Sequence, residues 1–267
     1  MRHGLYLPIF GELSDPAAVA RVTAEAEAAG WDGVFVWDHL RYREPVTEVA
    51  DPWVTLAAMA TATERLRLGP MVTPLARRRP AKVVRETVTL DRLSGGRLTF
   101  GVGLGGDDSG ELSGTGEQTD DRERARMLDE ALGILEAAWT GDVVNHRGDH
   151  YVVDGLSFLP RPVQEPRIPI WVAVRGGNRR PLRRAARYEG VFPVEVHTPD
   201  LLAEIVAGVA EQRGGDLAGY DVVIGGDPGA DPAPFRDAGA TWWLVEADWK
   251  HPRLADVTAL AKAGPPV

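Results

Sequence analysis

Eight times along this chain a short apolar run is followed by a segment of helical period, and this alternation restricts the fold more than any other feature. The runs occupy residues 4–9, 33–37, 66–72, 97–104, 168–174, 191–196, 220–224 and 241–245. The helical segments occupy residues 16–29, 52–63, 80–93, 121–139, 179–188, 199–212, 232–237 and 253–262. The runs are continuous rather than alternating, as in strands buried on both faces, and parallel neighbours need a crossover helix between them. Asp15 before Pro16 reads as an N-cap with proline in the first turn, and Gly30 as the helix stop. Eight β-then-α units in 267 residues predict an α/β fold, the (β/α)8 TIM barrel, with residues 1–267 forming one domain.

Two stretches depart from this pattern. Residues 105–120, rich in Gly, Asp, Ser and Thr, read as a loop, either a lid over a ligand or a solvated connection. Residues 143–165, with Tyr151-Val152-Val153 and a proline-rich exit, read as a small hairpin inserted before strand five.

Composition excludes several function classes. A net charge of −9 disfavours nucleic acid and anionic membrane surfaces, both of which call for a basic face. No apolar stretch reaches the roughly eighteen residues of a spanning helix. The absence of cysteine removes disulfides and thiolate chemistry, and no G-x-S-x-G elbow is present. Met1-Arg2-His3 leads directly into an apolar run, without a signal-peptide pattern, so the expected address is cytoplasmic. His146 and His150 have the spacing of a helical metal pair, but Gly148 lies between them in a hairpin segment, and no metal site is expected.

Gly101-Val102-Gly103-Leu104-Gly105-Gly106 satisfies G-x-G-x-x-G. A dinucleotide-binding turn would need a helix to start at the third glycine. Asp107-Asp108-Ser109-Gly110 follows instead. At the end of a barrel strand, such glycines let a flat ligand approach the backbone closely.

Four segments stand in order along the chain: Gly30-Trp31-Asp32-Gly33-Val34-Phe35-Val36-Trp37-Asp38-His39; Leu68-Gly69-Pro70-Met71-Val72-Thr73-Pro74-Leu75 with Arg79-Pro80; Leu90-Asp91-Arg92-Leu93-Ser94-Gly95-Gly96-Arg97 with the glycines after it; and Ile168-Pro169-Ile170-Trp171-Val172-Ala173-Val174-Arg175-Gly176-Gly177. Together they resemble the luciferase-like monooxygenase family, which includes flavin monooxygenases and coenzyme F420 (deazaflavin) oxidoreductases. The resemblance implies a flavin-type ring, coenzyme F420 or FMN, across the C-terminal mouth of the barrel. It implies catalytic roles for His39 and Asp38 at the end of strand two, an imidazole being able to exchange protons near neutral pH. Met71, Val72, Thr73, Gly103 and Gly105 would bind the ring, with a cis peptide at Met71–Val72. Arg175, Gly176, Gly177 and Asn178 would hold the cofactor phosphate at a helix start. Asp91, Ser94 and Arg97 lie at the opposite end of the barrel and read as structural.

The branch of the family that oxidises sugar phosphates carries a glutamate after the strand-four glycines, where this chain has Gly106. The expected partner is a small organic substrate of unspecified identity. Arg77, Arg78 and Arg79 follow strand three and, read as rim cations for an anionic tail, tip the choice towards coenzyme F420. The family's habit of dimerising through helices two and three implies a homodimer. The rival from another class is a non-catalytic flavin-binding barrel.

Overall fold

A computed structural model describes residues 1–175 and 179–266; Gly176, Gly177 and Asn178 of the expected phosphate site lie outside the described residues. Its strands are β1 (Arg2–Leu7), β2 (Gly33–Val36), β3 (Arg67–Pro70), β4 (Thr73–Pro74), β5 (Phe100–Gly103), β6 (Val143–Arg147), β7 (Val152–Ser157), β8 (Ile170–Arg175), β9 (Gly190–Val194), β10 (Asp221–Gly226) and β11 (Trp242–Glu246). Nine of them form one parallel sheet in the order β3-β2-β1-β11-β10-β9-β8-β5-β4. β3 and β4 are the two halves of strand three. β3 pairs with β2, β4 pairs with β5, and a parallel bridge from Leu68 to Leu98 brings the two ends of the sheet together. The sheet therefore returns on itself as the expected (β/α)8 barrel.

The helices are α1 (Pro16–Ala28), α2 (Pro52–Thr61), α3 (Pro80–Leu93), α4 (Asp121–Trp139), α5 (Arg179–Ala185), α6 (Pro199–Gln212), α7 (Ala233–Asp237) and α8 (Leu254–Ala263). Their starts repeat one device. Asp15 accepts from Ala17 N and Asp51 from Val54 N at 2.9 Å, and Thr198 accepts from Leu201 N at 3.3 Å, each directly before a proline. Proline there has no N–H to lose and carries the helical φ already.

Phe35, Trp171, Phe192, Val223, Trp242 and Leu244 fill the barrel interior, and the larger apolar core lies between strands and helices. Each fully buried Leu, Val or Phe contributes about 1.5–3 kcal/mol relative to exposure. The N-terminal end is plugged. The Arg2 guanidinium stacks 4.6 Å from the Trp242 ring and pairs with Asp221, to which Trp171 Nε1 also donates at 3.2 Å. Ligand access therefore belongs to the other end.

Asp91 is fully buried and accepts from Val163 N (2.6 Å) and Gln164 Nε2 (2.7 Å), while Arg97 donates to the carbonyls of Ala60, Thr63 and Leu66. Both residues tie loops together at the closed end. β6 and β7 pair antiparallel and lean on α4. His146 Nε2 lies 2.9 Å from Glu130 and His150 Nε2 lies 3.4 Å from Glu123, so the two rings reach different carboxylates.

Candidate active site

The C-terminal strand ends surround a cavity of about 750 Å³. Val72, Pro74, Ala173 and Val194 give it an apolar wall, and Trp37, His39 and Tyr42 stand among its other lining residues. Strand three supplies part of that wall through an irregularity between β3 and β4. The Met71–Val72 peptide is cis, as the resemblance implied, and Tyr6 Oη donates to the Met71 carbonyl at 2.6 Å. Burial, with Glu246 next and Tyr42 after it, pushes the Tyr6 phenol well above its ordinary value, so it stays a donor. Met71 packs against the barrel interior and still lines the cavity, whereas the Thr73 side chain turns to Asp38.

The expected glycines serve this irregularity. A Cβ on Gly103 would stand 2.7 Å from Val72 Cγ2 and 3.3 Å from Ala173 Cβ. Gly105 has φ +72°, and a Cβ there would stand 2.9 Å from Pro74. Both keep Val72 and Pro74 in the wall.

β2 ends and delivers Trp37, Asp38 and His39 into the mouth. The Asp38 side chain has no exposed surface and accepts from Thr73 Oγ1 (2.8 Å), Arg77 Nη2 and Arg78 Nη2 (2.9 Å). Arg77 and Arg78 thus point inward, their side chains 3% and 17% exposed, and do not form a rim for an anionic tail. The expectation failed because a buried carboxylate four decades of residues upstream captures them, which charge patterning along the chain cannot reveal. Arg79 alone of the three is exposed.

His39 is partly exposed, and its Nδ1 lies 3.1 Å from Glu111 Oε1. The other Glu111 oxygen accepts from Leu40 N and Arg77 Nη1, each at 2.9 Å. Burial alone would raise the Glu111 carboxyl, but the His39 hydrogen bond and charge, the Leu40 amide and Arg77 hold it below its ordinary 4.5. Glu111 was not read as a site residue. It lies in a loop of polar composition, where its one signal is the apolar Leu112 beside it, which is fully buried. The loop is anchored: Asp107 accepts from Leu112 N at 2.8 Å and Ser113 N at 3.0 Å, and Ser109 Oγ donates to the Arg41 carbonyl at 3.1 Å.

Aromatic packing steadies the histidine. Its ring centroid lies 4.8 Å from that of Tyr42 and 5.9 Å from that of Trp37, and Tyr42 also meets Trp249 at 5.1 Å. Arg43 lies 5.3 Å over both Tyr42 and Trp249, joining the loops after β2 and β11. Trp37 Nε1 is buried without a hydrogen-bond partner. On the side of β9 to β11 the cavity is lined by Glu195, Asp227 and Glu246. Arg175 is exposed and pairs with Glu195 at 2.9 Å. Burial, reinforced by Asp227, raises the Glu246 carboxyl above its ordinary value.

A closed parallel barrel whose functional side chains converge on the C-terminal mouth is the architecture of a TIM-barrel enzyme. The comparisons then narrow the class. A family model described as luciferase-like monooxygenase matches residues 1–232. F420-dependent glucose-6-phosphate dehydrogenase of Beutenbergia cavernae is 33% identical over 236 residues, covering 85% of this chain and 68% of the relative. The enzyme of the same name from Segniliparus rotundus is 31% identical over 270 residues, covering 94% and 77%. Among solved structures, an F420-dependent secondary alcohol dehydrogenase in complex with an F420-acetone adduct superposes with a TM-score of 0.82 at 19% identity, covering 98% of this chain and 97% of that one. The FMN-bound oxygenating constituent of 3,6-diketocamphane monooxygenase from Pseudomonas putida superposes with a TM-score of 0.70 at 19% identity, covering 86% and 68%. This chain belongs to the luciferase-like monooxygenase family, and the oxidoreductase class expected from its strand-end motifs is the class of these relatives.

No helix among the described residues is long and apolar enough to cross a membrane.

Proposed function

We propose that this chain is an oxidoreductase working with coenzyme F420 or FMN at the barrel mouth, coenzyme F420 being preferred, on a small organic substrate. The observation that carries the reading is His39, held by Glu111 inside a 750 Å³ cavity that also has an apolar wall. The preference for coenzyme F420 rests on the two dehydrogenases named above, whose names specify it. Arg77 and Arg78 no longer support it.

The residues present fit a flat ring. Val72 and Ala173 offer small apolar surfaces, and the glycines at 103 and 105 keep that wall free of further side chains. Arg175 is the described cation of the expected phosphate site. When bound, coenzyme F420 supplies hydride transfer, whereas reduced FMN supplies oxygen activation. His39 takes up or gives a proton at the substrate oxygen. Asp38 acts behind it, fixing Arg77 and Arg78, rather than at the reacting atoms. Trp37, Tyr42 and Trp249 exclude water around the imidazole.

The substrate side of the mouth argues against a phosphate ester. Asp227 and Glu246 line it; of the arginines that also line the cavity, Arg175 is paired with Glu195 and Arg184 with Asp129, and Arg43 lies over Tyr42 and Trp249. A neutral or cationic small molecule suits this electrostatic field better than a sugar phosphate does. We infer further that the protein acts in the cytoplasm as a homodimer packed through α2 and α3, where Val54 of α2 leaves an apolar side chain exposed.

The test is native mass spectrometry and absorption spectroscopy after incubation with each cofactor, followed by anaerobic reduction of the loaded protein by a panel of alcohols. Stoichiometric binding of coenzyme F420 and its reduction by a neutral alcohol are expected. Tighter binding of FMN makes monooxygenation the leading reading. Turnover that survives replacement of His39 removes its proton-transfer role, and binding without any turnover supports a non-catalytic flavin-binding barrel.

A further inference from the structure

We propose that Glu111 is a positioning residue that locks His39 in the tautomer bearing its proton on Nδ1, so that Nε2 meets the cavity as a bare acceptor. The inference rests on the role of His39 given above.

The argument starts from what each atom can do. An ionised carboxylate only accepts hydrogen bonds. Glu111 is ionised: Arg77 Nη1 and the Leu40 amide donate to Oε2 at 2.9 Å, and its carboxyl is held below the ordinary range despite burial. Oε1 remains for His39 Nδ1, 3.1 Å away. Two acceptors cannot share that contact, so Nδ1 carries the hydrogen. A neutral imidazole with Nδ1–H has its lone pair on Nε2. Nδ1 being engaged, Nε2 is the nitrogen left for a ligand in the cavity that His39 lines.

The carboxylate cannot turn to suit the other tautomer. Arg77 grips Glu111 with one amine and Asp38 with the other, so the end of β2 and the loop after β5 are cross-linked through one guanidinium. The Glu111 side chain is 1% exposed, so its carboxylate is held by these protein donors rather than lying open at the surface. When Nε2 takes a proton from a substrate hydroxyl, the imidazolium that forms lies against a fixed negative charge. The same logic governs the acidic partner of a catalytic triad, which orients the ring and stabilises its charged form without itself being protonated. The loop at 105–120 therefore reads as part of the proton-transfer apparatus, neither a free lid nor a solvated connection.

Nitrogen NMR of protein labelled in the histidine rings separates the two tautomers directly. Six histidines are present, and the His39→Gln variant assigns the signal of interest. At about pH 8, His39 should show a protonated Nδ1 and an unprotonated Nε2. In Glu111→Ala the ratio of Nδ1–H to Nε2–H should fall about tenfold or more, the weight of a hydrogen bond to a charged group. Glu111→Asp should restore part of it. Glu111→Gln keeps the side-chain volume, should the shorter variant fold poorly, and should move the ratio in the same direction. A proton on Nε2 in the unaltered protein, protonation of both nitrogens at that pH, or a ratio indifferent to residue 111 overturns the proposal. The two readings fail separately. A tautomer shift in Glu111→Ala with unchanged turnover upholds the lock and removes His39 from the chemistry. Turnover lost in His39→Ala beside an unmoved tautomer ratio keeps His39 and overturns the lock.

Discussion

Arg77 Nη1 donates to Glu111 Oε2 across 2.9 Å, between side chains only 3% and 1% exposed. The same guanidinium binds Asp38, so one cation serves two buried carboxylates from different elements. Arg77→Met keeps the volume and removes the charge. It should cost about 3–5 kcal/mol, because an uncompensated buried charge is worse than no ion pair at all. Arg77→Lys should recover only part, since an ammonium lacks the planar fork that reaches both partners. Urea denaturation measures both; a Met variant within about 1 kcal/mol of the parent would show that Arg78 alone can hold Asp38 and that Glu111 tolerates isolation.

His39→Ala should leave cofactor affinity within about tenfold, equivalent to 1.4 kcal/mol, since the apolar wall of the cavity remains. Turnover should fall about a hundredfold or more, the ordinary weight of an acid–base group. Steady-state kinetics beside a cofactor titration separates the two effects. Equal losses in both would make His39 a binding residue.

The barrel was legible because parallel strands bury both faces and so leave continuous apolar runs. Their boundaries were less so. The run at 4–9 extends past the ladder, since Pro8 and Ile9 are buried beyond the end of β1, where the chain makes only an isolated antiparallel bridge from Phe10 to Val49. The ladder begins earlier, at Arg2, because Arg2 pairs in register with Trp242, and no hydrophobic pattern marks that. At the site, His39 was legible as a strand-end residue, whereas Glu111 was hidden in a loop whose composition suggests solvent. Its burial depends on Arg77, 34 positions away, and on Leu112 anchoring the loop. Long-range charge pairing of this kind leaves no periodic trace in one sequence.

Glu246 should trade stability for function. Burial and Asp227 raise its carboxyl above the ordinary value, so the ionised form is disfavoured in the fold relative to the unfolded chain. Stability is therefore lost as pH rises from the unfolded value through the folded one. Glu246→Gln should raise the melting temperature at about pH 8 by roughly 2–4 °C, corresponding to about 1 kcal/mol, and change little at about pH 4. A lower melting temperature at the higher pH would mean that an unseen donor stabilises the carboxylate.

Charge at the mouth should select among substrates. Glucose 6-phosphate brings an anion towards Asp227 and Glu246, so its kcat/KM should lie at least about tenfold below that of a neutral alcohol. Added salt should narrow the gap, because screening over about 10 Å at 0.1 M weakens the repulsion. Efficient turnover of the phosphate at low salt would align this chain with the dehydrogenases it resembles and refute the electrostatic argument.

The Glu111 contacts also set an acid limit. Burial opposes ionisation there, yet His39, the Leu40 amide and Arg77 outweigh it and hold the carboxyl below 4.5. A carboxyl depressed on folding contributes stability that is complete above the unfolded value and lost as pH falls through the lowered folded one. Glu130 of α4 is depressed similarly, by His146 and two backbone amides acting against its own burial, so the acid sensitivity of the parent protein alone would not isolate Glu111. The difference between the parent and Glu111→Gln does, since Glu130 is common to both. Urea midpoints taken from about pH 7 down to about pH 3 should show the parent more stable by a gap that is constant near neutrality and closes below the ordinary carboxyl range. A gap that persists unchanged into acid would mean that the size and hydrogen bonds of residue 111, not its charge, hold the loop against the barrel.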